Sequence, residues 1–230
     1  FIESPKGGPV GNISKIQGGM IFSCIAGPDK LSIKEGFDNS HWINKSAIYA
    51  LEKITKGNYI RYPFNLNGSD ERQYSSPGFR IVTPSIHKSK YYEYPEYHTS
   101  GDDLNFISSV NLVKSLEVYK EWIAYIETYC HPKRKDLNCE LHLGKRGLYP
   151  NLGGALFQQV IDKNEDNINS QYPIGKQVIN EKHVDAFKWL MHLADGSNSN
   201  FSISEKSGIN IDLINESIAI FNNNDLLYLN

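Results

Sequence analysis

Short apolar runs alternate with helix-like segments over residues 1–130, and this alternation limits the fold more than any other feature of the sequence. Apolar runs bounded by Gly or Pro are typical of buried strands, whereas apolar residues three and four positions apart are typical of helices. The strand-like segments are 19–27, 59–64 and 79–84, and the helix-like segments are 45–56 and 103–129. The pattern predicts an α/β domain with a mostly parallel sheet and flanking helices.

Each predicted helix carries one apolar stripe, which we expect to face the sheet. In 45–56 the stripe consists of Ile48, Leu51 and Ile54. In 103–129 the apolar positions recur at steps of four and three, and they are Leu112, Leu116, Tyr119, Ile123 and Ile126. The polar residues at positions 100, 102 and 103 are suitable N-caps for this longer helix.

Residues 131–151 are polar and are interrupted by proline and glycine, so we interpret them as a linker. Their local positive charge leaves a binding arm as the alternative. Residues 152–230 contain three short helical patterns and a terminal apolar run, which is the spacing of a winged helix-turn-helix domain. The third pattern, 211–221, carries Asp212 and Glu216 and no Lys or Arg, so we predict either a protein-contact or a structural role for this module and no DNA binding.

Composition argues against several classes of protein. The net charge of -2 gives no basic field for nucleic acid. No apolar run reaches the roughly 20 residues that span a bilayer, and no signal peptide is predicted. The three cysteines show no metal-ligand spacing, and their low number favours a cytoplasmic location. The chain begins at Phe1 within a strand-like run, so we expect it to be the C-terminal part of a longer protein.

Two acidic residues and one histidine form the candidate site. Asp70 and Glu71 follow the predicted strand 59–64, and His98 follows the predicted strand 79–84 and a tyrosine-rich loop. Because ligands of open α/β sheets gather at the carboxyl ends of strands, we expect these three side chains to share one pocket. Carboxylates and imidazoles are ligands of zinc. The alternative is an acidic pair on a solvated loop and a histidine packed against tyrosines.

Four stretches of the sequence match the motifs of a known family. They are residues 68–79 (GSDERQYSSPGF), 94–103 (YPEYHTSGDD), 143–149 (LGKRGLY) and 189–196 (WLMHLADG). Together they resemble the zinc-dependent aminopeptidase superfamily, which also contains the glutaminyl cyclases. The resemblance is closer to a bacterial branch that has an aminopeptidase-like domain and a C-terminal winged helix and is associated with polysaccharide biosynthesis.

The resemblance implies a zinc site built around His98 and Asp70. His98 would be a ligand through one imidazole nitrogen, and Asp70 would be either a ligand or a carboxylate that hydrogen-bonds one. The implied catalytic residues are Glu3, Asp70 and Glu71. Glu3 matches a glutamate that is a general base or a ligand in the superfamily, with an ordinary surface glutamate as the alternative. In the resembled branch the other ligands precede the first residue of this sequence, so we expect half of a metal site here.

The implied function is a zinc-dependent aminopeptidase-like hydrolase of a small amide or peptide, linked to polysaccharide biosynthesis. Tyr94 and Tyr97 would bind the substrate, although the tyrosine-rich loop could instead only cover the sheet edge. A second hypothesis is a non-catalytic scaffold that contacts partners through this loop and the winged helix. A third is a DNA-binding regulator, which the acidic third helical pattern disfavours.

Overall fold

The computed structural model describes residues 15–68, 70–148 and 181–229. The chain divides into two compact units, Phe1–Thr128 (unit 1) and Tyr129–Asn230 (unit 2). The strand-like run at residues 1–3, the end of the predicted linker (149–151) and residues 152–180 of the predicted winged-helix region lie outside the described residues. Among the helices that are described, none is long and apolar enough to cross a membrane.

Unit 1 is built on a four-stranded sheet in the order β1-β4-β2-β3. The strands are β1 (Ile21–Phe22), β2 (Ser32–Lys34), β3 (Ile60–Tyr62) and β4 (Ser85–His87). The outer pairs, β1 with β4 and β2 with β3, are parallel, whereas the central pair of β2 and β4 is antiparallel. This small sheet and its helices confirm the predicted α/β class with mostly parallel pairing.

The side chains of the two central strands, β2 and β4, make one face of the sheet apolar and the other face polar. Ile33 of β2 lies opposite Ile86 of β4, and both are fully buried. Because side chains alternate along a strand, the flanking positions point to the other face. These positions are Ser32, Lys34, Ser85 and His87, and all four are buried as well. Buried polar side chains need hydrogen-bond partners inside the protein, so this face of the sheet is a candidate position for a functional site.

Helices α1 (Trp42–Thr55) and α3 (Ser109–Glu127) pack against each other on the apolar side of the sheet. Phe22, which is level with Ile86 in the ladder, contacts Tyr119 of α3 with ring centroids 4.2 Å apart. The Tyr119 hydroxyl donates to the backbone oxygen of Ile86. Between the two helices, the Trp122 indole N–H donates to Ser46 Oγ at 2.9 Å. The helix pair therefore closes one side of the sheet.

Helix 45–56 and strand 59–64 are confirmed with shifted or shorter bounds, but two strand predictions differ from the structure. Only two residues of 19–27 form a strand, because Cys24 turns the backbone into the left-handed region at φ 52°. Segment 79–84 is irregular, because Arg80 is also left-handed at φ 51° and its N–H bonds back to Ser76. The regular strand starts after Pro84, which has no N–H to donate.

The prediction for α3 was wrong about its start and about its buried face. The helix begins at residue 109 and not at 103, because the Ser108 side chain accepts from the backbone N–H of Asn111 and caps it. The buried side chains are Ser115, Val118, Tyr119, Trp122 and Tyr125. Of the predicted stripe, Leu112, Leu116 and Ile123 are exposed. Burying the three aromatic rings removes more apolar area from water, which explains the orientation.

Unit 2 combines a two-stranded antiparallel sheet with three helices. Strand β5 (Pro132–Arg134) pairs with β6 (Leu227–Leu229). The helices are α4 (Glu181–Leu193), α5 (Asn200–Ser207) and α6 (Ile211–Asn223). The core consists mainly of aliphatic and Phe side chains, including Phe187, Leu190, Ile203, Ile214, Ile218 and Phe221. The assignment of this unit as a winged helix stays a prediction.

Residues 131–148 differ from the predicted linker. They contain β5 and a short 3-10 turn, Gly144–Arg146. Leu141, Leu143 and Leu148 are buried in the unit 2 core. The polar composition of this segment concealed three leucines that pack inwards, so this part of the chain belongs to the second unit.

Candidate functional site

A buried ion pair joins the polar face of the sheet to the short helix α2 (Asp70–Tyr74). Lys34 Nζ lies 2.7 Å from Glu71 Oε1, and the two side chains are 0% and 2% exposed. Lys34 also donates to the backbone oxygen of Asn67 at 2.6 Å and to the Tyr91 hydroxyl at 2.9 Å. An ammonium group has three protons to donate. All three have acceptors here, which is what a buried lysine requires.

Tyr91 completes this cluster by donating its hydroxyl proton to Glu71 Oε1 at 2.5 Å. Burial opposes ionisation of Glu71, but the hydrogen bonds from Lys34 and Tyr91 outweigh it, and the pKa of this carboxyl lies below its usual value. Burial, together with the neighbouring carboxylate, raises the pKa of Tyr91. Glu71 is therefore ionised and Tyr91 protonated at neutral pH. We call Lys34, Glu71 and Tyr91 the buried cluster.

Gly68 gives the buried cluster the space that it occupies. A Cβ atom at position 68 would lie 1.9 Å from Glu71 Oε1 and 2.7 Å from Lys34 Nζ. Both atoms belong to the buried ion pair, so relief of the overlap would require this pair to shift. Close approach of these side chains, and not a left-handed backbone, therefore favours glycine at the start of the Gly-Ser-Asp-Glu motif.

His87 lies beside the buried cluster on the same face of the sheet, with its ring edge-on to Tyr91 at 5.1 Å. Its Nδ1 is 3.0 Å from the backbone oxygen of Ser23, and its Nε2 is 2.9 Å from Ser85 Oγ. Because a carbonyl oxygen only accepts, we assign the proton to Nδ1, and Nε2 accepts from the serine. Burial lowers the pKa of His87 to about 4, so the ring is neutral.

The tyrosine loop, residues 91–98, starts from the buried cluster and is fixed a second time by Tyr94. Tyr94 is buried, stacks on Phe106 with centroids 4.8 Å apart and donates its hydroxyl to Asp102 Oδ2 at 3.3 Å. Tyr92 is exposed and Tyr97 is half-buried, and their rings meet edge-on at 5.0 Å. The loop therefore has two buried anchors and an aromatic surface that reaches solvent.

Two residues of the tyrosine loop have strained backbones. Tyr92 has φ 63° and His98 has φ 58°, a region that bulky side chains rarely adopt. Such conformations cost on the order of 1–3 kcal/mol each and persist where the surroundings hold them, often at ligand sites. The exposed His98 ring stacks on Tyr97 with centroids 4.0 Å apart. The strain thus coincides with the exposed aromatic groups of the loop.

The structure places the predicted site residues in different environments. Glu71 is buried in the cluster, whereas the adjacent Asp70 is exposed at the start of α2. Burial raises the pKa of Tyr97, and the Glu71 carboxylate adds a smaller contribution in the same direction. His98 is stacked on this same Tyr97. Glu3 lies outside the described residues.

Sequence reasoning missed Lys34 and His87 and did not single out Tyr91. One signal was available for Lys34. Leu31 and Ile33 alternate with Ser32 and Lys34, which is the period of a strand with one apolar and one polar face. Lys34 and Glu71 are 37 positions apart in the sequence, and no local pattern predicts their contact.

Known proteins resemble this chain in both sequence and structure. A family model described as "Domain of unknown function (DUF4910)" matches residues 9–129. A Clostridium acetobutylicum protein named "Putative polysaccharide biosynthesis protein with aminopeptidase-like domain" is 36% identical over 145 residues, which are 62% of this chain and 27% of that protein. The crystal structure of a "putative peptidase" from the same species aligns with TM-score 0.68 and 26% identity, covering 95% of this chain and 43% of that one. This chain thus spans less than half of either relative.

Proposed function

The chain belongs to the family described as Domain of unknown function (DUF4910), and from this membership and the geometry of unit 1 we propose a peptidase-like hydrolase of small amides or peptides. The observation that carries the proposal is the tyrosine loop, which presents aromatic side chains to solvent while the buried cluster fixes its first residue. Further support comes from the relatives, whose names contain peptidase and aminopeptidase-like domain.

Tyr97 is the residue that we assign to the substrate. Its half-buried phenol has a pKa raised by burial, so it keeps its proton at neutral pH. A protonated phenol can donate a hydrogen bond to an amide oxygen as negative charge develops there. Tyr94, the other predicted substrate-binding residue, already directs its hydroxyl to Asp102, so we assign it to positioning of the loop.

Glu71 would act on the substrate through Tyr91 and the loop. Its Oε1 already accepts from both Lys34 and Tyr91, and a direct role as a base would require those bonds to break. Asp70, by contrast, is exposed at the start of α2 and is available for solvent contact. Catalytic roles for Asp70, Glu71 and Glu3 remain part of the proposal.

Zinc remains a prediction for this protein. A tetrahedral zinc site needs three or four nitrogen, sulfur or oxygen ligands that converge. Among residues 15–68, 70–148 and 181–229, no three His, Cys, Asp or Glu side chains form such a group. The described residues therefore do not fit a zinc site by themselves, and no step of the proposed chemistry passes through the metal. Metal analysis of the purified protein would test the prediction.

The hydrolase proposal is tested with a panel of aminoacyl-aminomethylcoumarin substrates and N-acetylated counterparts, with and without added zinc. We expect release of coumarin from at least one unblocked substrate. Tyr97→Phe should lower kcat by about 100-fold, because it removes one donor to the developing charge. Tyr92→Phe, a matched loss of an exposed hydroxyl in the same loop, should leave kcat nearly unchanged. Wild-type protein that releases no coumarin under any condition would contradict the proposal.

A non-catalytic binding protein is the second candidate. The observation that favours it is the enclosed state of Glu71, whose buried carboxylate is engaged by Lys34 and Tyr91. In that case the tyrosine loop would bind the same small peptides or amides without cleaving them. Calorimetric binding of a peptide that remains intact would select this candidate over the hydrolase.

For unit 2 we propose a winged-helix module that contacts a protein partner and not DNA. Helix α6 carries Asp212 and Glu216 at exposed positions and has no basic side chain. A gel shift at physiological salt tests this, and binding that is lost on altering residues 211–221 would contradict it. A link to polysaccharide biosynthesis and a cytoplasmic location are also proposals. The location is supported by Cys24, Cys130 and Cys139, all of which are free thiols.

A further inference from the structure

Lys90, the residue before the tyrosine loop, is a second buried cation of unit 1. Its side chain is only 7% exposed. Its Nζ lies over the ring of Tyr62 in β3, 4.7 Å from the centroid, and over the ring of Tyr91, 4.9 Å from the centroid. Ring faces attract a cation, but they do not replace the oxygen acceptors that an ammonium group loses on leaving water. The oxygen acceptors of Lys90 therefore decide what this group can still bind.

Lys90 has fewer oxygen acceptors than Lys34, which contacts the same Tyr91 ring. It donates to the backbone oxygen of Tyr91 and to Glu93 Oε1, each at 3.2 Å. Its third N–H has no oxygen acceptor among the residues that the structure describes, whereas all three of Lys34 are accepted. Glu93 is also an exchangeable partner, because its side chain is 51% exposed and exposed carboxylates form weak ion pairs. Lys90 is thus a buried cation with one unused N–H and one replaceable acceptor.

Tyr62 supplies a second unused donor beside Lys90. Its residue is half-buried, and its hydroxyl has no hydrogen-bond partner in the described part of the chain. Burial raises the pKa of Tyr62, and the carboxylates of Glu93 and Asp29 add to this effect, so the phenol keeps its proton. A carboxylate has two oxygens and can accept from both donors at once. Because Glu93 and Asp29 already bring negative charge here, an added carboxylate must replace that of Glu93 on Lys90.

We propose that Lys90 and Tyr62 bind the free C-terminal carboxylate of a short peptide, and that Glu93 occupies this place when no peptide is bound. The inference rests on the proposed function, because the amide oxygen of the same peptide contacts Tyr97. The Tyr91 ring adjoins both positions: its centroid is 4.9 Å from Lys90 Nζ and 6.2 Å from the Tyr97 ring centroid. At ~3.3 Å per extended residue, these distances limit the peptide to about three residues between amide and carboxylate. The site thus selects di- and tripeptides with a free carboxyl end.

The test is isothermal titration calorimetry of the full chain with alanyl-phenylalanine and with its C-terminal amide, which lacks only the carboxylate. We expect the acid to bind at least tenfold more tightly than the amide, because hydrogen bonds to a charged group are the stronger kind. Lys90→Met should remove this preference, and Tyr62→Phe should lower it about fivefold, because it deletes one donor. Glu93→Gln should strengthen binding of the acid and not of the amide, because the competing carboxylate is gone.

A matched change at an exposed lysine of α3, Lys120→Met, should leave the preference unchanged. Circular dichroism and thermal melting verify that each variant is folded, and Tyr62→Phe decides the test if Lys90→Met does not fold. Equal affinity for the acid and the amide, or no binding of either at millimolar peptide, would overturn the proposal. A preference that persists unchanged in folded Lys90→Met or in Tyr62→Phe would overturn it as well.

Failure of the hydrolase proposal is measured separately, by coumarin release and by chromatography of the peptide after each titration. Aminoacyl-aminomethylcoumarin substrates carry no carboxylate, so their cleavage does not depend on Lys90. A peptide that stays intact but shows the preference, without coumarin release, contradicts hydrolysis and supports the carboxylate site. Coumarin release without the preference supports hydrolysis and overturns the carboxylate site.

Discussion

Unit 1 and unit 2 bury different kinds of side chain. Of the residues that the structure describes, unit 1 buries Lys34, Glu35, Glu71, His87, Lys88 and Lys90, whereas unit 2 buries Arg134 and His183 among its ionisable groups. The core of unit 2 is otherwise a continuous cluster of aliphatic and Phe side chains. Apolar packing is sufficient to hold a small helical unit, so the buried charges of unit 1 call for a separate explanation.

The way in which these charges are neutralised also differs. In unit 1, Lys34 pairs with Glu71, Glu35 pairs with Arg61 at 2.6 Å and Lys90 pairs with Glu93, whereas Lys88 donates to the backbone oxygen of Pro28. In unit 2, Arg134 donates to the backbone oxygens of Met191 and Cys139, and the buried His183 Nε2 lies 3.3 Å from Glu216 Oε2. Met191 lies in the last turn of α4, where a cation also suits the helix dipole. Arg134 thus connects β5 to the last turn of α4, whereas the pair of Lys34 and Glu71 connects β2 to α2 and to Tyr91 at the start of the tyrosine loop.

A buried ion pair is not an efficient source of stability, because apolar side chains of similar volume often stabilise a fold as well or better. Its presence beside the tyrosine loop is therefore explained more readily by positioning. The pair fixes Tyr91 and α2 in one arrangement, and that arrangement sets where the exposed aromatic groups lie. We infer that unit 1 retains polar groups for its site, and that unit 2 is held by packing.

The largest expected effect comes from Lys34→Met. Removing the cation leaves the carboxylate of Glu71 buried without its partner, which should cost about 3–5 kcal/mol of unfolding free energy. Lys34→Met combined with Glu71→Gln should recover most of this loss, because no unpaired charge remains. Urea unfolding measures the loss, and hydrogen exchange assigns it to unit 1.

The control for this change is Lys53→Met. Lys53 pairs with Glu121 at 2.6 Å, but its side chain is exposed, so its loss should cost at most about 1 kcal/mol. Equal effects of Lys34→Met and Lys53→Met would remove the distinction between a positioned buried pair and ordinary surface charge.

Acid should destabilise unit 1 through His87. Its pKa in the folded protein is lowered to about 4 by burial, from an ordinary value of 6.5. Between these two values the unfolded chain binds a proton that the folded protein does not, so stability falls as the pH falls from about 6.5 to 4. The difference corresponds to roughly 3 kcal/mol at the acid end.

Denaturant titrations at a series of pH values measure this loss. In His87→Gln the loss over the same interval should be smaller by that amount, because the group that titrates is gone. The pH dependence of the unfolding free energy that remains in His87→Gln would come from other groups, such as His41, whose pKa is also lowered by burial. If the unfolding free energy depends on pH to the same extent in the wild type and in His87→Gln, the polar face of unit 1 does not keep this imidazole neutral.

Gly68→Ala tests the space around the buried cluster. The added methyl group would overlap Glu71 Oε1, and relief of the overlap should cost about 1–3 kcal/mol. Gly78→Ala is the matched control, since a Cβ at position 78 meets nothing within 4 Å. It should be neutral or stabilise the protein by up to about 1 kcal/mol, through the unfolded state. Similar unfolding free energies for the two variants would contradict close approach at Gly68.

The sequence predicted what local periodicity encodes. Helix α1 and strand β3 were found close to their true positions, because their apolar spacing and flanking residues are local signals. Periodicity also detected the apolar stripe of α3, but not which face is buried, because that depends on the area of Tyr119, Trp122 and Tyr125 against the rest of unit 1.

The site was predictable only in part, for a similar reason. The motif around Glu71 drew attention to α2, where Glu71 joins the buried cluster. The partner Lys34 comes from a strand 37 positions earlier, and only the folded sheet brings the two together. In unit 2, three buried leucines were hidden in a polar segment that composition assigned to a linker.

The smallest expected effect belongs to the packed core of unit 2. Ile214 is fully buried on α6, and Ile214→Val removes one methylene group, which should cost about 1 kcal/mol. Ile60→Val, the same change at an exposed strand position of unit 1, should cost much less, because little apolar area is lost there. Chemical denaturation of both variants beside Lys34→Met gives the comparison. We expect unit 2 to lose unfolding free energy in proportion to the atoms removed from its core. We expect unit 1 to lose far more when one buried charge is left unpaired. An effect of Ile214→Val as large as that of Lys34→Met would show instead that both units depend equally on close packing, and the ion pair would then need no positioning role.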